Sequence, residues 1–157
     1  MAKILMTHPD KCTGCRNCEL ACSWEHEASF RLQATRVHVY TWEREGFSAP
    51  MMCQQCADAP CVQVCTPHAL QRDAATGVVE LSHEKCIGCR MCVLACPFGN
   101  AVWDAVSSTI HKCDTCDGDP ACAKACPTQA LAWVDDSIST RTRKRAYAAK
   151  LKEAFAE

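Results

Sequence analysis

The stretch CIGCRMCVLACP, residues 86–97, carries four cysteines at spacings of three, three and four residues and ends in a proline. Cysteines this close together can bind structural zinc, form disulfides or hold several corners of an iron–sulfur cluster. The three-residue spacer VLA before the fourth cysteine is suited to the start of a short helix. The identity of the bound group therefore decides the fold, because elements this short cannot be stable alone.

Related arrays occur three more times in the chain. In chain order the four arrays are CTGCRNCELAC (12–22), CQQCADAPCVQVC (53–65), CIGCRMCVLAC (86–96) and CDTCDGDPACAKAC (113–126). They are called arrays one to four below. Together they contain all 16 cysteines, four in each array. The proline after the last cysteine varies: array four keeps it as Pro127, array two has Pro67 one position late, and array one has Ser23 instead.

The composition narrows the class of protein. Cysteine supplies 16 of the 157 residues, whereas there are only four Phe, four Trp and two Tyr. The aliphatic core is therefore thin, and we expect groups bound by the cysteines to contribute much of the folding free energy. The formal net charge of −1 gives no reason to expect a nucleic-acid partner.

The start of the chain, MAKILMTHPD, has neither a signal-peptide apolar region nor a twin-arginine pair. No apolar run approaches the roughly 18 residues that a transmembrane helix needs. We therefore expect a cytoplasmic protein without a transmembrane segment. Structural disulfides are rare in that compartment, which disfavours the disulfide interpretation.

The cysteine spacing favours iron–sulfur clusters over zinc. Structural zinc sites usually combine two separate CxxC or CxxH pairs. The run CxxCxxCxxxCP is instead the bacterial ferredoxin signature, in which the fourth cysteine ligates the other cluster of a pair. Array three matches this signature completely, through Pro97. The departures in the other arrays alter the entry into the following helix but not the number of ligands. Sixteen thiolates predict four 4Fe–4S clusters.

Short strands are predicted between the arrays. The candidate strands are residues 3–8, 36–43 and 130–134, and the candidate hairpins are residues 69–81 and 100–112. The connection from Cys65 to array three has the layout of a complete two-cluster ferredoxin, so arrays two and three pair, which leaves arrays one and four for each other. The first and last strands are then expected to lie side by side. Pairing of array one with array two is the alternative.

The segments DKCTGCRNCELAC (10–22), KCIGCRMCVLACPFG (85–99) and HKCDTCDGDPACAKACPTQAL (111–131) resemble the four-cluster iron–sulfur subunits of molybdenum and tungsten oxidoreductases. Similar subunits serve hydrogenases, formate dehydrogenases and carbon monoxide dehydrogenase. The resemblance covers residues 3 to about 134. With the array pairing, it implies an α+β fold of two interleaved bacterial-type ferredoxin units with short strands and helices. The expected parts are an outer unit of residues 1–49 and 101–137, an inner unit of residues 50–100, and a basic helical tail of residues 138–157.

The same resemblance assigns the cysteines to four ligand sets, called quartets here. In each quartet, three cysteines come from one array and the fourth comes from its partner array. Quartet one is Cys12, Cys15, Cys18 and Cys126; quartet two is Cys22, Cys113, Cys116 and Cys122; quartet three is Cys53, Cys56, Cys61 and Cys96; quartet four is Cys65, Cys86, Cys89 and Cys92.

The resemblance implies electron transfer rather than catalysis. The compact DGDPA gap of array four and the basic tail are most similar to the small subunit of tungsten aldehyde oxidoreductases of the aldehyde ferredoxin oxidoreductase type. A large tungsten or molybdenum pterin subunit is then the expected partner, with a flavin subunit or a soluble ferredoxin as the second. Clusters near both ends also predict end-to-end stacking of copies. The tail is either a solvated helix or a docking arm for an acidic surface, with Arg141, Arg143, Lys144 and Arg145 as the candidates.

Other functions stay open at this point. The chain can serve a hydrogenase, formate dehydrogenase or carbon monoxide dehydrogenase complex, or it can be a cluster-carrying maturation accessory. A zinc-binding interaction module is a third class. No Gly-rich phosphate loop and no Ser/His/Asp order is evident, so we predict no catalytic residue.

The remaining residues receive structural expectations. Gly14 and Gly88 are expected to turn the backbone around a cluster, and His111 and Lys112, which precede Cys113, can tune a cluster by charge. The histidines are expected at surface or strand positions: His8, His26, His38, His68, His83 and His111. The tryptophans are expected in the core or shielding clusters: Trp24, Trp42, Trp103 and Trp133.

Overall fold

The structure is a computed structural model that describes residues 3–135 and residue 148. It is a small mixed fold of short strands and short helices. The strands are β1 (Lys3–Thr7), β2 (Val37–Trp42), β3 (Phe47–Met52), β4 (Leu70–Arg72), β5 (Val79–Leu81), β6 (Ala101–Asp104), β7 (Thr109–Lys112) and β8 (Leu131–Asp135). The helices are α1 (Asn17–Glu27), α2 (Pro60–Gln63), α3 (Met91–Ala95) and α4 (Ala121–Lys124). The basic residues proposed for docking, Arg141 to Arg145, lie outside the described residues.

The strands form four antiparallel pairs: β1 with β8, β2 with β3, β4 with β5, and β6 with β7. Pairing of β1 with β8 sets Lys3 opposite Asp135 and Thr7 opposite Leu131. The predicted pairing of the first and last strands is thus confirmed, as are the two predicted hairpins. The β1–β8 pair brings the start of array one close to the end of array four.

Strand β3 is a feature that the sequence analysis missed. Its sequence FSAPMM contains Pro50, and a proline normally argues against a strand. In the structure Pro50 lies opposite Val39 of β2, the strand that was predicted. Both strands of a two-stranded sheet are edge strands, and a proline is tolerated on an edge because its missing N–H need not be part of the ladder.

The buried side chains form two clusters that contain cysteines. One lies between the β1–β8 and β2–β3 sheets and includes Leu5, Met52 and Leu131. The other lies beside the β4–β5 and β6–β7 hairpins and includes Leu70 and Ile110. The apolar faces of these small sheets therefore pack directly against the thiols, as the thin aliphatic composition predicts.

Helix α1 differs from the other helices because it continues past the last cysteine of its array. Helices α3 and α4 end before Cys96-Pro97 and Cys126-Pro127, and the residue before a proline is disfavoured in a helix. Ser23 takes the proline position in array one, and it is fully buried. Its Oγ accepts a hydrogen bond from Arg31 N at 2.8 Å and lies 2.6 Å from Ser29 O. Ser23 therefore lets α1 reach Glu27 and fixes the loop that follows.

Two of the four tryptophans contradict the expectation that they would be buried or would shield clusters. Trp24 is 54% exposed and stacks on Phe30, with ring centroids 5.2 Å apart. Trp42 is 49% exposed and contacts Phe47 at the tip of the β2–β3 hairpin. Each of these two tryptophan rings packs against a neighbouring aromatic ring on the surface, which buries only part of the ring. Trp103 and Trp133 do pack against the two buried clusters.

The longest helix of the described residues is α1, with 11 residues. Within residues 3–135, no helix combines the length and apolar character that crossing a bilayer requires.

Candidate metal centre

The backbone of each array forms a loop that contains a residue in the left-handed conformation, with positive φ. In arrays one and three this conformation falls on Gly14 and Gly88, with φ of 70° and 68°. A side chain at Gly14 would also meet Ser48 Oγ at 2.9 Å. The positive φ of both residues agrees with the prediction that these glycines turn the backbone, and the close approach at Gly14 is a second constraint there. The equivalent residues of arrays two and four are Gln55 and Thr115, with φ of 47° and 64°.

The thiols predicted for quartet one line a single cavity: Cys12, Cys15, Cys18 and Cys126. Val39, Pro50 and Leu131 form its apolar walls. Burial raises the pKa of the Cys18 thiol to about 12, with further contributions from the Glu19 carboxylate and the thiols of Cys126 and Cys12. Thr13, Arg16 and Thr128 also line it. A cavity lined by four thiols has the donor set that a 4Fe–4S cluster requires.

The structure also brings together the four cysteines predicted for quartet two. Burial raises the pKa of the Cys122 thiol, and the neighbouring thiols of Cys113, Cys22 and Cys116 add to this effect. Three of the four thiols are buried, and only Cys116 is partly exposed. Four thiolate anions buried together repel one another and lose their hydration. A bound cation or iron–sulfur cluster would offset this cost.

The cysteines of quartets three and four form groups in the other half of the molecule. Burial and the thiols of Cys53 and Cys96 raise the pKa of Cys56. For Cys92, burial and the thiols of Cys86 and Cys65 raise the pKa to about 11. Cys89, the remaining member of quartet four, lies exposed on the loop between Cys86 and Cys92.

The last cysteine of each array accepts a hydrogen bond from a main-chain N–H to its sulfur. The four donors are Arg36 N to Cys22 (3.3 Å), Leu70 N to Cys65 (3.4 Å), Asn100 N to Cys96 (3.3 Å) and Leu131 N to Cys126 (3.4 Å). Such donors favour the thiolate form and tune cluster potentials. All sixteen thiols are free of disulfides, so every one is available as a ligand.

His26 contradicts the expectation of a surface or strand position, because it lies on helix α1 and is partly buried near the site. Its Nδ1 lies 3.8 Å from Cys22 Sγ, and its Nε2 lies 3.2 Å from an oxygen of Asp114. Burial alone would lower the pKa of His26, but hydrogen bonds with Asp114, Cys116 and Cys22 outweigh this and raise the pKa to about 12. The spacing between Cys22 and His26 was the available signal, because residues four apart share a helix face.

His111 occupies a strand, as expected, but it is buried rather than exposed. Burial lowers its pKa, and the nearby Arg36 guanidinium adds to this effect. His68 and His83 lie on the surface, and His38 lies on β2, in agreement with the prediction.

Comparison with known proteins identifies the family. Residues 44–136 match a family described as the 4Fe-4S dicluster domain, and residues 9–30 match the 4Fe-4S binding domain. These two matches together contain all four arrays.

Individual relatives agree with this result. The chain is 45% identical over 123 residues to the aliphatic sulfonate oxidoreductase polyferredoxin-like subunit of Pyrococcus furiosus, covering 78% of this chain and 70% of that protein. It is 35% identical to the electron transport protein HydN of Escherichia coli K12, covering 92% and 97% of the two chains.

Among solved structures, a chain of the BamBC active-site complex of benzoyl coenzyme A reductase has a similar fold. Its TM-score is 0.50 at 24% identity, and the match covers 99% of this chain and 93% of that one. The ferredoxin-like fold, the thiol-lined sites and the sequence matches agree, and the chain belongs to the 4Fe-4S dicluster domain family of iron–sulfur proteins, which bind multiple 4Fe–4S clusters.

Proposed function

We propose that this protein is an electron-transfer subunit of an oxidoreductase complex and holds four 4Fe–4S clusters, one in each quartet. A 4Fe–4S cluster supplies one-electron redox chemistry. The observation that carries the proposal is the cavity lined by Cys12, Cys15, Cys18 and Cys126. Electrostatic interactions among neighbouring thiols of the other three sets support it. No residue of the chain is proposed as catalytic.

Contacts between the sets support a linear order from quartet one to quartet four. The nearby thiol of Cys18 in quartet one contributes to the raised pKa of Cys122 in quartet two. The nearby thiol of Cys53 in quartet three likewise contributes to the raised pKa of Cys113, which also belongs to quartet two. These interactions support a position of quartet two between quartets one and three. Array two supplies both Cys61 of quartet three and Cys65 of quartet four, one helical turn apart.

The exposed cysteines support the same order. Cys15 and Cys89 are the two exposed cysteines among the sixteen, and they belong to quartets one and four. The inner quartets contain none. A relay requires inner sites shielded from solvent and end sites that a partner can approach. The protein thus has two candidate positions for electron entry and exit.

Exposed apolar residues flank Cys89 in the sequence of array three. Ile87 is 72% exposed, Leu94 is 81% exposed, and Phe98 is 50% exposed. Exposed apolar side chains that cluster together are typical of protein interaction sites. We propose that a redox partner docks here, with Cys89 at the centre of the contact.

We further propose that the fold consists of two interleaved ferredoxin units. The β1–β8 pair and the packing of α1 on α4 support an outer unit of residues 1–49 and 101–137. The packing of α2 on α3 supports an inner unit of residues 50–100. The alternative pairing of array one with array two lacks this support.

For the catalytic partner, we propose a large tungsten or molybdenum pterin subunit, such as an aldehyde oxidoreductase, in the cytoplasm. The similarity to a polyferredoxin-like subunit of another oxidoreductase supports a partner of the oxidoreductase class. A flavin subunit or a soluble ferredoxin is proposed for the other end. The iron–sulfur subunit of a hydrogenase, formate dehydrogenase or carbon monoxide dehydrogenase is the second candidate.

The test begins with protein purified anaerobically together with its large subunit. We expect about 16 iron and 16 sulfide per chain, as four 4Fe–4S clusters require. The complex should pass electrons from the substrate to a viologen, and the large subunit alone should do so much more slowly. Stoichiometric zinc would identify an interaction module instead. Full iron without electron transfer in turnover would identify a maturation accessory.

The two exposed ends also support the proposal that copies stack end to end. Mass measurement of the complex tests this directly: more than one copy of this chain per complex is expected. Strictly one copy at all concentrations would rule stacking out while leaving the electron-transfer proposal unaffected.

A further inference from the structure

Three of the four arrays are preceded by a lysine, but the structure places these lysines in different environments. Lys11, Lys85 and Lys112 stand directly before Cys12, Cys86 and Cys113. Lys11 and Lys85 are exposed, whereas Lys112 is only 5% exposed. The same sequence position therefore presents two charges to water and one to the interior.

The buried ammonium of Lys112 has neutral hydrogen-bond partners. Its Nζ donates to Val79 O at 2.7 Å and Cys113 O at 3.0 Å, and it lies 3.3 Å from Gln55 Oε1. Within residues 3–135 it makes no ion pair with a carboxylate. Glu80, Asp114 and Asp117 line the same cavity as Lys112 but do not form an ion pair with it. Burying a charge without a paired counter-charge is costly, so a closer negative group would stabilise the ammonium.

The candidates for that negative group are thiolates from two different quartets. The Lys112 ammonium favours the thiolate of Cys113 in quartet two and the thiolates of Cys56 and Cys61 in quartet three. Lys112 therefore lies at the junction of the two inner quartets. A 4Fe–4S cluster with four thiolates adds net negative charge at each of them.

Gln55 fixes the position of the lysine. Its Nε2 donates to Cys113 O at 2.8 Å, and its Oε1 accepts from Val79 N at 2.9 Å. Gln55 stands between Cys53 and Cys56, in left-handed backbone. One side chain thus links the loop of array two, strand β5 and the end of β7 around the ammonium.

We propose that Lys112 is the shared counter-ion of quartets two and three and raises the reduction potentials of the clusters bound there. The inference rests on the proposed function, because it requires clusters in both quartets. Reduction adds one electron, supplied by an external reductant, and no proton. The added negative charge is stabilised by a fixed ammonium in a medium of low dielectric. Lys112 is a positioning residue in this sense and does not ligate iron.

The test is a potentiometric titration of the full-length holoprotein with dithionite, followed by electron paramagnetic resonance. In Lys112→Met, two of the four couples should shift to lower potential. We expect at least a tenfold loss in the equilibrium constant for reduction, which corresponds to about 59 mV for a one-electron couple. Lys112→Arg should restore the potentials. Lys85→Met is the matched control, because it removes an exposed lysine from the same motif position, and it should shift no couple by this amount.

Several outcomes would overturn the proposal. Four unchanged potentials in Lys112→Met with full iron content would do so, as would an equal shift in Lys85→Met. If Lys112→Met assembles with less iron, Lys112→Gln decides the matter, since it keeps N–H donors but removes the charge. Unchanged potentials in that variant contradict the counter-ion role. A wild-type protein that lacks iron and reducible couples contradicts the proposed function instead.

Discussion

Quartets one and two are built from the same two arrays, yet their surroundings differ in charge. Cys18 and Cys22 lie one turn apart on α1, and each belongs to a different quartet. Beside Cys18 lies Glu19, which is 3% exposed and accepts a hydrogen bond from Val39 N at 2.6 Å. Its only cationic partner among the described residues is the half-exposed Arg16, whose guanidinium lies 3.8 Å from the carboxylate. Beside quartet two lie Arg36, which is paired with Asp114, and the buried Lys112.

The backbone around the two quartets is nearly equivalent. Leu131 N donates to Cys126 at 3.4 Å, and Arg36 N donates to Cys22 at 3.3 Å. Main-chain donors therefore do not distinguish the quartets, whereas the buried charges do. If the repeated loops supply the ligands, as proposed, we expect individual buried side chains to set the different potentials of the two sites.

The largest expected effect comes from removing ligands in pairs. Cys126→Ser and Cys15→Ser each remove a predicted ligand of quartet one, so the double variant should lose no more iron than one cluster, about 4 of about 16 atoms. Cys126→Ser combined with Cys22→Ser should lose about 8, because two quartets are affected. Iron and sulfide analysis gives the answer.

The same pair of double variants discriminates between the two array pairings. If array one paired with array two, Cys126 and Cys15 would belong to different clusters. The first double variant would then lose as much iron as the second, and the quartet assignment would be wrong.

A large effect is also expected at Ser23, the residue that separates α1 from the helices of the other arrays. Ser23→Pro removes an interior helix N–H and introduces a clash, which costs about 3 kcal/mol or more. Ser23→Ala leaves buried main-chain groups such as Arg31 N without their partner, at about 1–3 kcal/mol. The stability of the holoprotein in denaturant, followed by cluster absorbance, should fall in the order wild type, Ala, Pro. Equal stability of the Pro variant would contradict the role assigned to the extended helix.

The sequence predicted the features of the fold and of the candidate sites that depend on residue spacing. The cysteine intervals predicted the sites, and the apolar runs flanking DAATG predicted the β4–β5 hairpin. The β1–β8 pairing followed from the order of the arrays. Strand β3 was missed because Pro50 breaks its local pattern.

The burial and orientation of individual side chains could not be predicted from the sequence. Nothing local distinguishes Lys112 from Lys11 and Lys85, because its burial depends on Gln55 and Val79, which are distant in sequence. Likewise, Ser23 acts through a loop eight residues away at Arg31. Such contacts are set by tertiary packing rather than by local propensity.

A smaller effect is expected at Glu19, the charge that distinguishes quartet one. Glu19→Gln removes a buried negative charge beside Cys18 but keeps an oxygen to accept from Val39 N. The couple of quartet one should move to higher potential, opposite in sign to the shift in Lys112→Met, by up to about 59 mV, or tenfold in the reduction equilibrium. Potentiometric titration measures it, and Glu25→Gln, on the exposed side of α1, is the matched control. A shift to lower potential would contradict the electrostatic comparison.

The smallest effect is expected at Asp104, which connects the β6–β7 hairpin to Arg31 in the loop after α1. Hydrogen bonds from the Ser107 hydroxyl, Val106 N and Arg31 hold the pKa of this carboxyl well below its usual range. The contribution of the ionised Asp104 carboxylate to folding stability is therefore fully present above the unfolded pKa of about 3.9. It is lost as the pH falls toward the pKa of the folded state. Asp104→Asn resembles the protonated form, so it should lower the melting temperature by the same amount from pH 8 to pH 5. The difference from wild type should narrow only below about pH 4. A difference that already narrows between pH 7 and pH 5 would show that another group is responsible, because a carboxyl with a depressed pKa stays ionised throughout that interval.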